Sequence, residues 1–187
     1  MLKPLSFALL LSALPAAALA DDIKSALDAA LAAHEKGDLS ATAAQITNAT
    51  RAVHAQQQAR LTAKFPEAPA GWTRTIQEPG DAGMMMAMAG VTTEARYEKD
   101  DGSGFSLTLA ADSPVATSMM GMFASPQMLA MMGKTISVGG QDMLVQDNSL
   151  TAMAGGRVLV QAQGMDPDAM VEVLSLIDYA SLPQYDR

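Results

Sequence analysis

The chain has 187 residues, with 12 basic and 20 acidic side chains for a formal charge of −8, no cysteine, and 15 methionines beside one Trp, three Tyr and four Phe. An acidic chain lacks the positive footprint of a nucleic-acid binder and the Lys/Arg cluster that holds a protein on an anionic bilayer. Without cysteine there is no disulfide, no thiol nucleophile and no thiolate metal site.

Residues 1–20 read as a secretory targeting segment. Lys3 supplies the positive start, Leu5 to Leu14 the short apolar run, and Ala18-Leu19-Ala20 the small-x-small pattern accepted by a signal peptidase. The apolar run is shorter than the roughly 20 residues needed to cross a bilayer. The expectation is cleavage after Ala20, a soluble periplasmic chain and no stable membrane anchor; a lipid-anchored form is excluded by the lack of cysteine. Loss of Lys3 leaves 11 basic against 20 acidic residues, net −9, on 167 residues. That length suffices for one modest domain with an appendage.

The first expected unit, 21–65, is a helical hairpin. Asp22 is a candidate cap for a helix with Ile23, Leu27, Ala30, Leu31 and His34 on one stripe. Lys36-Gly37-Asp38 ends it and opens a second helix, Leu39 towards Lys64, with Ile46, Ala49, Val53 and Leu61 on its stripe. The run ALAAHEKGDLSATAAQI is similar to half of a tetratricopeptide unit, but no second copy follows, and stacked repeats need about three units for a common core. Two prolines and a glycine make 66–71 a linker to the second unit, 72–187.

Trp72 to Gln77 reads as a strand, followed by a loop and then Met84, Met85, Met86 and Met88. Val91, Thr93, Ala95 and Tyr97 alternate with Thr92, Glu94, Arg96 and Glu98; after the turn Asp100-Asp101-Gly102-Ser103-Gly104, Phe105, Leu107, Leu109 and Ala111 alternate with polar residues. A hairpin with one dry and one wet face is the antiparallel signature. Ser113-Pro114 and Ser125-Pro126 each open a short methionine-rich helix, serine as cap and proline at the first helical position. Gly133 offers a left-handed end to the second. Four strands follow at Lys134–Val138, Gln141–Gln146, Ser149–Ala154 and Arg157–Gln163, and Asp166-Pro167 opens a final helix with Met170, Val173, Leu174 and Ile177 as its stripe. The expected fold is α+β: a helical hairpin, then an antiparallel sheet covered by two short Met-rich helices and a C-terminal helix.

The methionines admit three readings. Met119 and Met122 share a stripe with Val115 and Phe123, and Met128, Met131 and Met132 one with Leu129, which is the spacing of core residues; methionine fills irregular apolar space. Met84, Met85, Met86 and Met88 are consecutive soft thioether donors suited to Cu(I). The same loop with Met119 and Met122 can instead form an adaptable apolar surface for a periplasmic partner protein or a small apolar ligand.

Catalytic patterns are missing. There is no Gly-x-Ser-x-Gly turn and no glycine-rich phosphate loop with its lysine. His34 and Glu35 are helix neighbours that point apart, and Asp166 and Asp168 are accounted for by helix capping. The expectation is a non-catalytic binding protein without a cofactor, with Cu(I) binding or copper tolerance as the alternative.

From Trp72 to Leu182 the chain resembles a set of small exported proteobacterial proteins without an assigned activity. The resemblance is carried by Gly71-Trp72, Tyr97 with Asp101-Gly102, Asp112-Ser113-Pro114, Gly139-Gly140-Gln141, Arg157-Val158-Leu159-Val160 and Ile177-Asp178. The order of elements also resembles the PsbP-like fold, which implies an architecture and no activity.

Overall fold

A computed structural model describes residues 16–77, 90–123, 125, 128, 129, 131 and 133–187. They form two compact units that divide after Gln56.

The first unit is a helical hairpin of α1 (Ala16–Glu35) and the greater part of α2 (Leu39–Thr62). Gly37, at φ +73°, makes the turn, and Asp38 caps α2 by accepting from Ala41 N at 2.9 Å. Helix α1 begins at Ala16, so Asp22 lies inside it and does not cap it. The expected stripe holds only in part, at Ala30 and Ala49. Ala26, Ala30 and Ala49 are buried, whereas Leu27, Leu31, Ile46 and Val53 are exposed. Small side chains let two helix axes approach closely, and the bulkier leucines are displaced to the flanks. His34 is likewise exposed, as is His54.

The second unit is built on one seven-stranded, fully antiparallel sheet. Its strands are β1 (Trp72–Gln77), β2 (Val91–Lys99), β3 (Gly104–Ala111), β4 (Lys134–Val138), β5 (Gln141–Gln146), β6 (Ser149–Ala154) and β7 (Val158–Gln163). The order is β1-β2-β3-β7-β6-β5-β4. Two meanders, β1–β3 and β4–β7, are therefore joined by pairing of β3 with β7. The connection from β3 to the far edge at β4 carries α3 (Pro114–Phe123).

Alternation decides which side chains are dry. Ala95, Tyr97, Phe105, Leu107, Leu109, Val160 and Ala152 face one large core. This core is closed by α4 (Pro167–Leu174) through Met170, Val173 and Leu174, and by the chain beyond it through Ile177, Tyr179, Leu182 and Tyr185. Asp166 caps α4 by accepting from Asp168 N, with Pro167 at the first position. The helix stops at Leu174, so Ile177 is buried from the irregular chain after it.

The last turns of α2 serve this core as well. Leu61 and Phe65 are buried in it, Thr62 and Thr93 share a hydroxyl hydrogen bond at 2.7 Å, and Tyr97 OH donates to Pro66 O at 2.6 Å. Arg74 Nη1 donates to Phe65 O and Pro66 O, both at 3.0 Å. Residues 66–71, whose prolines and glycine redirect the chain, are thus held against the sheet.

The opposite face of the sheet is dry only in part, with Leu144 and Thr151 among its buried residues on β5 and β6. Ala110, Met153 and Leu159 lie in adjacent strands there, and α3 covers them with Ala116, Met119 and Phe123. Ser113 caps α3, accepting from Ala116 N at 3.1 Å, and Ser125 accepts from Met128 N at 3.4 Å. Gly133 is not left-handed. A side chain there would press on Val145 O at 3.2 Å, so close passage over β5 is what its lack of a Cβ permits.

Candidate functional site

The face that carries α3 changes character along the strands. Beyond the Ala110–Leu159–Met153 row, Glu94, Thr108 and Gln161 pair across β2, β3 and β7, with Ser106 and Gln163 in the next row. These five line an open depression of about 250 Å³. An antiparallel sheet can leave one face wet in this way. Glu94 is the depression's single carboxylate, and no histidine or lysine lines it.

A denser polar cluster lies where β3 ends and β7 begins. The register Ala111↔Val158 continues by one step to Asp112 and Arg157. Arg157 Nε and Nη2 donate to Asp112 Oδ1 and Oδ2 at 2.8 and 2.7 Å. Nη1 and Nη2 donate to Asp186 Oδ1 and Oδ2 at 2.9 and 2.7 Å, and Nη1 also to Pro183 O at 2.8 Å. Tyr185 OH donates to Asp112 Oδ2 at 3.0 Å, with its ring 5.1 Å from the guanidinium carbon. All five N–H donors of the guanidinium are thereby used. The Arg157 hydrogen bonds hold the carboxyls of Asp112 and Asp186 below the usual carboxylate range. Burial, followed by the Asp112 acceptor, pushes the Tyr185 phenol up. With every guanidinium donor used, the cluster is a clasp that ties the segment around Asp186 to the sheet.

Asp112 takes a left-handed φ of +53° to enter this clasp. The Gly155-Gly156 turn before Arg157 passes under Pro183, where a Cβ on Gly155 would fall 2.3 Å from Pro183 Cγ. Sequence reading had no access to this cluster, because its members stand 45 and 29 residues apart. The one local signal was a charged residue directly after a Gly-Gly turn.

The methionines divide into two sets. Met143 and Met170 are fully buried and Met153 nearly so, on β5, α4 and β6. Met119 is half-buried against the α3 cluster. By contrast Met120 is 41%, Met128 51% and Met131 88% exposed. The core spacing read for Met128 and Met131 is therefore corrected: Leu129 is the buried residue of that turn, and its helical neighbours are left outside. Met84, Met85, Met86, Met88, Met132, Pro126 and the side chains of Val115 and Met122 lie outside the described residues.

Among the described residues no group of three His, Cys, Asp or Glu side chains could hold a metal ion, and no helix is long and apolar enough to cross a membrane. Both histidines belong to the first unit. Comparison with protein-family models, curated proteins and solved structures finds no match to this chain.

Proposed function

We propose that this is an exported, non-catalytic periplasmic protein that binds an apolar segment of a partner protein through the methionines that follow β3. The observation that supports this reading is the exposure of Met120, Met128 and Met131 on a domain that buries Met143, Met153 and Met170. Thioether side chains are unbranched and polarizable, and they repack against varied apolar shapes. The non-catalytic reading rests on the sequence, which offers no Gly-x-Ser-x-Gly turn and no glycine-rich phosphate loop with its lysine. Export is supported by the Lys3, Leu5–Leu14 and Ala18-Leu19-Ala20 pattern. Cleavage after Ala20 would leave Asp21 and Asp22 at the new start of α1, where carboxylates favour the positive end of the helix dipole.

The reading is tested by placing a photoreactive diazirine analogue at Met131 and, as a control, at Gln161 in the polar depression. A discrete protein adduct from position 131, lost when Met120→Asp and Met128→Asp are added, is the expected result. No adduct from position 131, or the same adduct from position 161, overturns it; a small-molecule adduct would make the ligand apolar and non-protein.

A further inference from the structure

We propose that Met120, Met128 and Met131 are reversible oxidation sites, at each of which a peroxide converts an exposed apolar side chain to a polar one while the fold is kept. Three observations combine. The three side chains are 41%, 51% and 88% exposed, and none of them belongs to either core cluster. Oxygen added to them therefore lies outside both buried clusters of the domain. Finally, the chain has no cysteine, so no thiolate competes for the oxidant.

The chemistry is an oxygen-atom transfer. The thioether lone pair attacks one oxygen of hydrogen peroxide, an S–O bond forms and the O–O bond breaks. The second oxygen leaves as water after a proton shift. Sulfur gives up two electrons and the peroxide accepts them. A dithiol-dependent sulfoxide reductase reverses the change, with the sulfoxide oxygen leaving as water and the dithiol becoming a disulfide. A sulfoxide is a strong acceptor and no longer favours an apolar partner. That consequence rests on the partner-binding reading; the pattern of oxidation does not.

The experiment treats the full chain with hydrogen peroxide and follows each methionine by peptide mass spectrometry. Near-ultraviolet circular dichroism and binding of the apolar dye bis-ANS are recorded alongside. Met120, Met128 and Met131 are expected to gain about 16 Da at least about tenfold faster than Met143, Met153 and Met170. The dichroism should hold while dye binding falls, and a sulfoxide reductase with dithiothreitol should restore it. A Met120→Leu/Met128→Leu/Met131→Leu variant, which keeps the apolar volume and loses the oxidisable sulfur, should retain dye binding after peroxide. Equal rates across the six methionines, loss of dichroism in step with the first oxidation, or an unchanged response in the leucine variant would each overturn the site. Failure of the position-131 crosslink with this pattern intact would remove the partner and leave the oxidation site standing.

Discussion

Replacing Arg157 tests whether the C-terminal clasp carries stability. Arg157→Met keeps the aliphatic stem and removes five hydrogen bonds, leaving Asp112 and Asp186 without their cation. The pairs are partly open to water, with Arg157 29% exposed, and exposed ion pairs contribute only about 0–1 kcal/mol each. Two bidentate pairings discounted for solvent, with the bond to Pro183 O, amount to about 2–3 kcal/mol. At about 2–4 °C per kcal/mol for a domain of this size, the melting temperature of the second unit should fall by about 5–10 °C at pH 7. Arg157→Lys should lose about half as much, since a lone ammonium cannot fork to both carboxylates. Both Asp carboxyls titrate lower in the folded chain than in the unfolded one. Their contribution is thus complete above the unfolded value, about 4, and disappears as pH falls through the folded values. Calorimetry across pH should show the two melting temperatures converge in acid. A gap under about 1 °C at pH 7, or one that persists unchanged at pH 2, would refute the clasp.

The division of the methionines predicts opposite costs at two positions. Met143→Ala should lose about 2–5 kcal/mol by opening a cavity in the main core, while Met131→Ala should stay within about 0.5 kcal/mol, both read by urea denaturation. Gly155→Ala must force a Cβ onto Pro183 at φ +55° and should cost about 2 kcal/mol or more. Gly140→Ala, at φ +80° with nothing within 4 Å of a Cβ, should cost about 1 kcal/mol, so equal effects would remove the steric argument. Cu(I) titration under reducing conditions should give equal, weak binding for the native chain and a Met84→Leu/Met85→Leu/Met86→Leu variant; a large difference would establish the copper alternative.

Much of the sheet was legible because two-residue alternation is a local signal. Val91, Thr93, Ala95 and Tyr97 on β2, and Phe105, Leu107, Leu109 and Ala111 on β3, are all buried as their spacing requires. The capping serines and Asp166 were equally local. Helical stripes were less informative, because an apolar arc wider than its contact does not say which part is covered. In the hairpin that ambiguity favoured the alanines over Leu27 and Leu31; after β3 it favoured Leu129 over Met128 and Met131. The fastening of Leu61, Phe65 and Pro66 to the sheet, and the Arg157 clasp, depend on partners distant in sequence, which no window of residues contains.

The strand order carries a kinetic implication. Each meander closes through strands that follow one another in the chain, but the seam between them pairs Ala111 with Val158 and Ser106 with Gln163. Loop-closure entropy makes such long-range zippering slow relative to hairpin formation. In a chain that emerges N-terminus first, the strand completing the seam follows the other six strands of the sheet. Until β7 arrives, β3 and β6 each present an unpaired ladder that a holding chaperone could shield and a second nascent chain could capture.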